Sequence, residues 1–194
     1  MNDAAGTELT VKALDRSTWP AFAHLVETSD GFPSGCWCMA FHPEGDGKDT
    51  SAALNRKRKK QRVFRGDAHA ALVFEGDDCI GWCQFGSPAE LPRIKNRAAH
   101  EKTVTSLTDW RIACHYVAKG HRRSRVATAA FEGVLELITE MGGGVVEGYP
   151  EPAESVPAGF LFMGALSTFE QLGFQRDLKI DKHRWVVSRL LAPR

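Results

Sequence analysis

The sequence has no hydrophobic run long enough to cross a membrane. Its longest stretch without charge or strong polarity, 158–166, is nine residues with two glycines, whereas a spanning helix needs roughly 20 apolar residues. The first residues, 1–7, are polar and lack the basic-then-apolar pattern of a secretory signal. We therefore expect a cytoplasmic protein that does not engage a membrane.

Net charge and aromatic content are also low. The chain carries 25 basic and 24 acidic residues, a formal charge of +1, so no overall field attracts nucleic acid. Aromatic residues make up 9% of the chain and hydrophobic residues 43%. This composition excludes disorder. With 194 residues it predicts a single domain over 1–194 with a substantial core.

Cysteines are few, and their number, five, is odd. We expect reduced thiols, because a chain of this length needs no disulfide staples. Cys36, Cys38 and His42 approach a metal-ligand pattern, but one intervening residue is fewer than the usual two to four. Cys79 and Cys83 are expected on one strand face, which makes a four-thiolate site conceivable beside the alternatives of an apolar loop or a nucleophilic thiol. No thiol pairs with a particular base, which disfavours a nucleophilic thiol. The short spacing of Cys36 and Cys38 disfavours a metal site, and we assign none.

Hydrophobic periodicity predicts a mixed α/β chain in the order β-α-α-β-β-β-α-β-α-β-β. The clearest strand, 110–118, places Trp110, Ile112, Cys114 and Tyr116 on one face. The clearest helix has an apolar stripe, and the strand–helix–strand crossover around it requires two parallel strands. Expected strands are 8–13, 70–74, 79–85, 110–118, 145–149, 178–180 and 184–189. Expected helices are 18–26, 51–66, 126–141 and 166–172, with one turn near Arg97.

Positive charge is concentrated where the expected strand 110–118 leads into the expected helix 126–141. Arg122, Arg123 and Arg125 precede the helix that begins at Val126. A helix N-terminus has unpaired N–H groups and a positive dipole end, so this segment could bind a phosphate. The alternative is that the arginines are simply solvated. No common nucleotide-binding loop is present, because Lys48 is followed by aspartate and the glycine run 142–144 follows a helix.

This crossover resembles the GNAT superfamily of acyl-CoA-dependent N-acetyltransferases. The family signature, Gln/Arg-x-x-Gly-x-Gly/Ala, is matched by Arg122 and Ala127 within HYVAKGHRRSRVA. The resemblance extends to EGYPEP over 147–152 and STFEQLGF over 167–174, so with the element order it covers essentially the whole chain. It implies a mostly antiparallel central sheet with one β-α-β crossover.

Two positions depart from the family pattern. Arg125 replaces the middle glycine of the signature, where an arginine would either crowd a pyrophosphate or bind it through its side chain. Phe169 replaces a tyrosine that often precedes the GF motif, which removes a common general acid.

The resemblance also implies a cofactor site for acetyl-CoA as co-substrate. The strands at Val117 and Glu147 would splay apart, and the thioester would lie in the gap. His115 and Val117 would offer backbone groups to the pantetheine arm. The pyrophosphate would be held by backbone N–H groups of one segment: Arg122, Arg123, Ser124, Arg125, Val126, Ala127 and Thr128.

Transfer of an acetyl group to a primary amine by direct attack needs a base and an acid. The resemblance places Glu147 in the cleft as the candidate base, with a salt-bridged strand carboxylate as the alternative. Ser167 could protonate the departing thiolate or cap the short helix. His115 suits proton transfer or a structural role. No motif in the sequence identifies the acceptor, which is a small molecule or a peptide. The resemblance also allows a homodimer, because many relatives form dimers.

The basic run 55–65 contains seven basic residues and no acid. It is interpreted as a solvated helix face, as an attractor of an anionic acceptor or of the cofactor 3′-phosphate, or as a contact for nucleic-acid phosphates. The two rivals to an acetyltransferase are therefore a CoA-binding domain without efficient turnover and a nucleic-acid-binding protein.

Overall fold

A computed structural model of the chain describes residues 8–29, 35–45, 50–94, 100, 108–157 and 161–194. Its strands form one sheet in the order β1-β2-β3-β4-β5-β7-β6. They are β1 (Leu9–Ala13), β2 (His69–Glu75), β3 (Asp78–Gly86), β4 (Trp110–Val117), β5 (Gly144–Gly148), β6 (Gln175–Lys179) and β7 (Trp185–Leu191). Neighbouring strands are antiparallel except β4 and β5, which are parallel. The expected α/β class and mostly antiparallel sheet are confirmed.

Helices cover both faces of this sheet. The α-helices whose bounds lie within the described residues are α1 (Trp19–Thr28), α2 (Ala52–Arg65), α3 (Val126–Glu140) and α4 (Leu166–Gln171), with a 3₁₀ turn at Ala153–Ser155. α1 and α2 pack on one face, in a cluster that contains Phe22, Val63 and Trp82. α3 and α4 pack on the other, in a cluster that contains Val134 and Phe169. Both layers bury apolar stripes, which is what holds a mixed sheet between helices.

Local hydrogen bonds and backbone conformation define the ends of α1 and α2. The Ser51 hydroxyl accepts from the Leu54 N–H at the start of α2, and Gly66 ends α2 with φ of 78°, as the sequence predicts. The sequence offers Ser17 or Thr18 as the N-cap of α1, and the N-cap is Thr18, although no side chain makes a capping hydrogen bond there. The Asp15 carboxylate instead accepts from the backbone N–H groups of Ser17 and Thr18, at 2.7 and 3.0 Å.

A β-bulge in β4 reverses the predicted alternation of that strand. Consecutive residues of β3 pair with Cys114 and Ile112, which leaves Ala113 as the extra residue. Trp110 and Ile112 pack on the α3 side, whereas Cys114 and Tyr116 pack on the α1 side. The prediction that these four share a face is wrong, because one inserted residue moves every later side chain to the other face.

A second bulge, in β3, separates two cysteines. Gly81 and Cys79 pair with consecutive residues of β2, which leaves Ile80 as the extra residue. Cys79 packs on the α1 side and Cys83 on the α3 side. The conceivable four-thiolate site is therefore wrong. All five cysteines are free, and no three His, Cys, Asp or Glu side chains of the described residues could hold a metal ion together.

The remaining predicted elements differ from the structure mainly at their ends. The largest shift is in β6, which begins at Gln175 rather than 178. The helical turn expected near Arg97 lies outside the described residues, and the single-domain assignment stays a prediction. Within the described part of the chain, no helix has the length and apolar character needed to cross a membrane.

Candidate active site

The parallel strands β4 and β5 hold together at only one end. Their paired residues are Trp110 with Val146 and Arg111 with Glu147, although β4 continues to Val117. The Ala118 N–H donates to Ile80 of β3 at 2.8 Å. Because alternate peptide groups of a strand point to opposite edges, the N–H groups of His115 and Val117 point away from β3, toward the gap. The expected splay of β4 and β5 is confirmed.

Residues 161–165 bridge this gap. The Phe162 carbonyl accepts hydrogen bonds from the His115 backbone N–H at 2.7 Å and from the His115 ring Nδ1 at 3.0 Å. On the β5 side of the gap, the Glu151 N–H donates to the Gly164 carbonyl, and the Leu166 N–H donates to the Glu151 carbonyl. The His115 backbone N–H, which the resemblance assigns to pantetheine, therefore already donates to the Phe162 carbonyl. A pantetheine arm bound there must displace that carbonyl.

The His115 side chain is fixed by the same contact. Burial lowers the pKa of His115 to about 4, so the ring is neutral near pH 7, with its proton on the Nδ1 that donates to Phe162. The ring centroid lies 5.1 Å from that of Phe131. These contacts favour the structural role over proton transfer.

The crossover from β4 to α3 has a distinctive backbone. Gly120, Arg123 and Arg125 all have positive φ, at 99°, 67° and 63°. Arg125 therefore adopts the conformation that glycine adopts most readily, at the position where the signature has glycine. The first N–H groups of α3, at 126–128, have no partner within the helix and lie beside the exposed side chains of 122–125. The predicted phosphate-binding residues are thus contiguous at one helix end.

A cavity of about 600 Å³ adjoins this crossover. One wall is formed by Gly120, His121, Ser124 and Arg125. Both Glu75 and Glu132 line it as well, and the His121 Nδ1 lies 3.7 Å from the Glu75 carboxylate. The cavity is therefore of mixed charge, and the positive side is the one that continues into the helix N-terminus.

Glu147 lies at the closed end of the gap in a network of donors. Its Oε1 accepts from His100 Nε2 at 2.8 Å and from the Tyr149 hydroxyl, and its Oε2 accepts from Thr108 at 2.9 Å. Burial raises the pKa of Glu147, but the hydrogen bonds from His100, Tyr149 and Thr108 outweigh it and hold the pKa below its usual value. The carboxylate is therefore ionised, and three of its roughly four acceptor positions are occupied.

Sequence reasoning found Glu147 but not its partners. Tyr149 could have been found, because residues two apart on a strand share a face. Burial and the Glu147 charge raise the Tyr149 pKa well above its usual value, so the phenol keeps its proton. His100 and Thr108 lie 47 and 39 residues from Glu147 along the chain, and no local pattern marks them.

Solved acetyltransferase structures share this architecture. The ribosomal-protein-S18-alanine N-acetyltransferase of Escherichia coli aligns over 95% of this chain and 95% of its own, at 10% identity and a TM-score of 0.53. A GNAT-family acetyltransferase of Bacillus cereus aligns over 95% and 98%, at 9% identity and 0.54. The PaiA N-acetyltransferase of Thermoplasma acidophilum, in complex with coenzyme A, aligns over 94% and 99%, at 11% identity and 0.54. No protein-family model and no curated protein sequence matches the chain.

The fold is that of the GNAT acetyltransferases. At these identities the likeness concerns the fold, and the chemistry has to be argued from the residues of this chain.

Two residues near the GF motif of this GNAT fold lie apart from the Glu147 network. Ser167 is exposed in the first turn of α4, whose N-cap is Ala165. The N-cap alternative for Ser167 is therefore wrong, and its role as thiolate donor stays a prediction. Phe169 is fully buried, with its ring between those of Phe131 and Phe174 at 5.0 and 4.9 Å. The Phe169 ring packs on the α3 side of the sheet and has no hydroxyl group that could act as a general acid.

The basic helix α2 is not simply a solvated face. Lys59 and Arg62 are buried, and three of its arginines form ion pairs: Arg56 with Glu27, Arg62 with Glu44 and Arg65 with Asp67. Four of its seven basic residues are therefore buried or ion-paired, which corrects the interpretation of the whole run as solvated and leaves fewer charges for a polyanion.

Proposed function

We propose that this protein is an acetyltransferase, which transfers an acetyl group from acetyl-CoA to a primary amine by direct attack in a ternary complex. The observation that supports this most strongly is the β4–α3 crossover. There the helix N-terminus and three arginines follow directly after β4, one of the two parallel strands that splay apart. A helix end of this kind favours bound phosphate.

The cofactor would lie along the open edge of β4. The N–H groups of 126–128 and the side chains of Arg122 and Arg125 would bind the pyrophosphate. The pantetheine arm would hydrogen-bond to Val117, and at His115 it would replace the Phe162 carbonyl. Binding would therefore include a displacement of residues 161–165 from the gap.

We propose that His100 takes the proton from the acceptor and that Glu147 positions it. Glu147 Oε1 accepts from His100 Nε2, so that contact holds the imidazole with its other nitrogen available as acceptor. The amine nitrogen would attack the thioester carbonyl carbon, forming the C–N bond as the C–S bond breaks. The amine proton would go to His100, and the departing CoA thiolate would take a proton from Ser167 or from solvent.

The direct test is release of CoA thiol from acetyl-CoA with a panel of primary amines. We expect thiol release that depends on both substrates. Glu147→Gln should lower turnover by roughly 10²-fold with little change in acetyl-CoA affinity, because an amide cannot accept all the hydrogen bonds of the carboxylate. Glu136→Gln, an exposed change on α3, is the control and should leave turnover unchanged. An unchanged rate in folded Glu147→Gln would remove Glu147 from the mechanism.

A CoA-binding domain without efficient turnover is the second candidate. Two observations favour it: Phe162 fills the gap by bonding to His115, and the buried Phe169 replaces the common acid. This candidate predicts stoichiometric binding of acetyl-CoA, with no amine in the panel releasing thiol above the rate without enzyme.

A further inference from the structure

A polar cluster lies buried on the α1 side of the sheet, where α2 faces β3 and β4. The Lys59 side chain is 1% exposed. Its ammonium donates to Gln84 Oε1 at 2.5 Å and lies 3.2 Å from His42 Nε2. The proposed acetyl transfer uses none of these groups.

The charge of Lys59 has no carboxylate beside it in the described residues. His42 Nδ1 faces the Glu90 carbonyl at 3.0 Å and must donate to it, so His42 Nε2 is an acceptor. Burial and Lys59 lower the pKa of His42 to about 2, which keeps the ring neutral. A buried ammonium with only neutral acceptors is costly, so a nearby anion would stabilise it.

The thiol of Cys38 can supply that anion. Its sulfur accepts from Trp82 Nε1 at 3.2 Å and lies 3.4 Å from the Cys114 sulfur. The Cys114 hydrogen bond, the Lys59 charge and the Trp82 hydrogen bond together lower the Cys38 pKa despite its burial, and the same contact raises the Cys114 pKa well above its usual value. Cys38 is therefore the more acidic of the two thiols.

The backbone at Cys38 is also constrained. Trp37 and Cys38 both have φ of 52°, and two consecutive non-glycine residues in the left-handed region are strained. Packing holds them, because Trp37 and Cys38 are both buried and the Trp37 ring stacks on Trp19 at 5.9 Å. The strained turn directs the Cys38 sulfur at Cys114.

We propose that Cys38 and Cys114 form a redox-active dithiol, in which Cys38, hydrogen-bonded by Trp82, is the attacking sulfur and a small peroxide is the oxidant. The two sulfurs must approach from 3.4 Å to about 2.05 Å. Hydrogen peroxide is small enough to reach a buried pair through transient local opening.

The reaction balances in two steps. The Cys38 thiolate attacks one peroxide oxygen, the O–O bond breaks, and Cys38 becomes a sulfenic acid as hydroxide leaves. The Cys114 sulfur then attacks the Cys38 sulfur, and the S–O bond breaks. The sulfenic oxygen leaves as water with the Cys114 proton, and the disulfide forms. Each sulfur is oxidised by one electron relative to the thiol, and the peroxide is reduced by two.

The experiment treats the full chain with hydrogen peroxide, then unfolds it in an alkylating agent and maps the cysteine peptides by mass. We expect two of the five thiols to be lost, a Cys38–Cys114 cross-link, and recovery of both with dithiothreitol. Five alkylated thiols, a link to another cysteine, or a Cys38 sulfinic acid without a cross-link would each overturn the proposal.

Variants test the role of the lysine. Lys59→Met should slow cross-linking by roughly 10-fold or more, because the thiolate is the reactive form. Lys57→Met, an exposed change on the same helix, should leave the rate unchanged. If Lys59→Met does not fold, Trp82→Phe removes only the indole donor and should also slow the reaction. Wild-type rates in folded Lys59→Met or Trp82→Phe would contradict activation of Cys38 by these groups.

Discussion

Arg125 adopts a left-handed backbone conformation, with φ of 63°, at the N-cap of α3. A non-glycine residue pays about 1–2 kcal/mol for this region. The sequence shows only that an arginine stands where the GNAT signature has glycine. The structure adds that the backbone keeps the conformation expected of glycine, so the substitution changes the side chain without reshaping the loop.

Arg125→Gly should therefore stabilise the protein by about 0.5–1 kcal/mol, because relief of backbone strain outweighs the extra freedom of glycine in the unfolded chain. Arg122, which is exposed and has no positive φ, is the matched control. Arg122→Gly should be neutral or destabilising. Denaturant unfolding measures both. Equal destabilisation by the two changes would contradict the assignment of strain to Arg125.

The lowered pKa of Glu147 makes stability depend on pH. The pKa is lower in the folded state than in the unfolded chain, so Glu147 contributes stability above the unfolded pKa of about 4.3. That contribution is lost as pH falls through the lower folded pKa. Unfolding free energy measured from about pH 6 downward should fall more steeply for the wild type than for Glu147→Gln. Identical slopes would show that Glu147 is not held as a carboxylate by its donors.

The residues of the Glu147 network show where sequence reasoning stops. Glu147 itself was predicted from the resemblance, which implies that the strand after the crossover helix lies beside β4. Its partners His100 and Thr108 come from the long connection before β4, and no periodicity relates them to β5. Lys59 shows the same limit, since one buried lysine inside a basic run has no distinguishing neighbour in the sequence.

At the scale of elements, the helices and strands that follow an amphipathic period were predictable. α3 and the hairpin of β2 and β3 agree with the prediction to within one residue at each end. The two bulges were not, because an extra residue leaves the hydrophobic alternation locally intact and changes only which face the later residues join. That single difference separated Cys79 from Cys83 and brought Cys114 to the side of Lys59.

Close packing of α4 on β5 depends on Gly148. A side-chain carbon at Gly148 would collide with the Phe169 ring, which cannot retreat because Phe131 and Phe174 flank it. Gly148→Ala should destabilise the protein by about 1–3 kcal/mol, measured by denaturant unfolding. Gly35→Ala is the control, since nothing lies within 4 Å of its added carbon, and it should shift stability by less than about 0.5 kcal/mol. Equal effects would contradict this packing.

At the scale of the whole molecule, the basic helix bears on the choice between functions. A net charge of +1 and the burial or ion-pairing of at least four of the seven basic side chains of α2 leave less positive charge for a polyanion than the basic run alone indicates. We expect the protein to pass through a heparin column at about 0.15 M salt, where charges farther apart than about 8 Å are screened. Retention that declines steeply with further salt would instead support a nucleic-acid contact.

The proposed acetyl transfer depends on binding of the CoA moiety at the β4–α3 crossover. Calorimetric titration of the metal-free protein with acetyl-CoA, and separately with CoA, tests it most directly. We predict one site with a Kd on the order of micromolar for both ligands. Arg122→Ala with Arg125→Ala should weaken it by roughly 10-fold or more, whereas Lys57→Ala on the opposite face should not. No binding of either ligand to folded protein would mean that Arg125 and residues 161–165 close the site, and it would contradict the account.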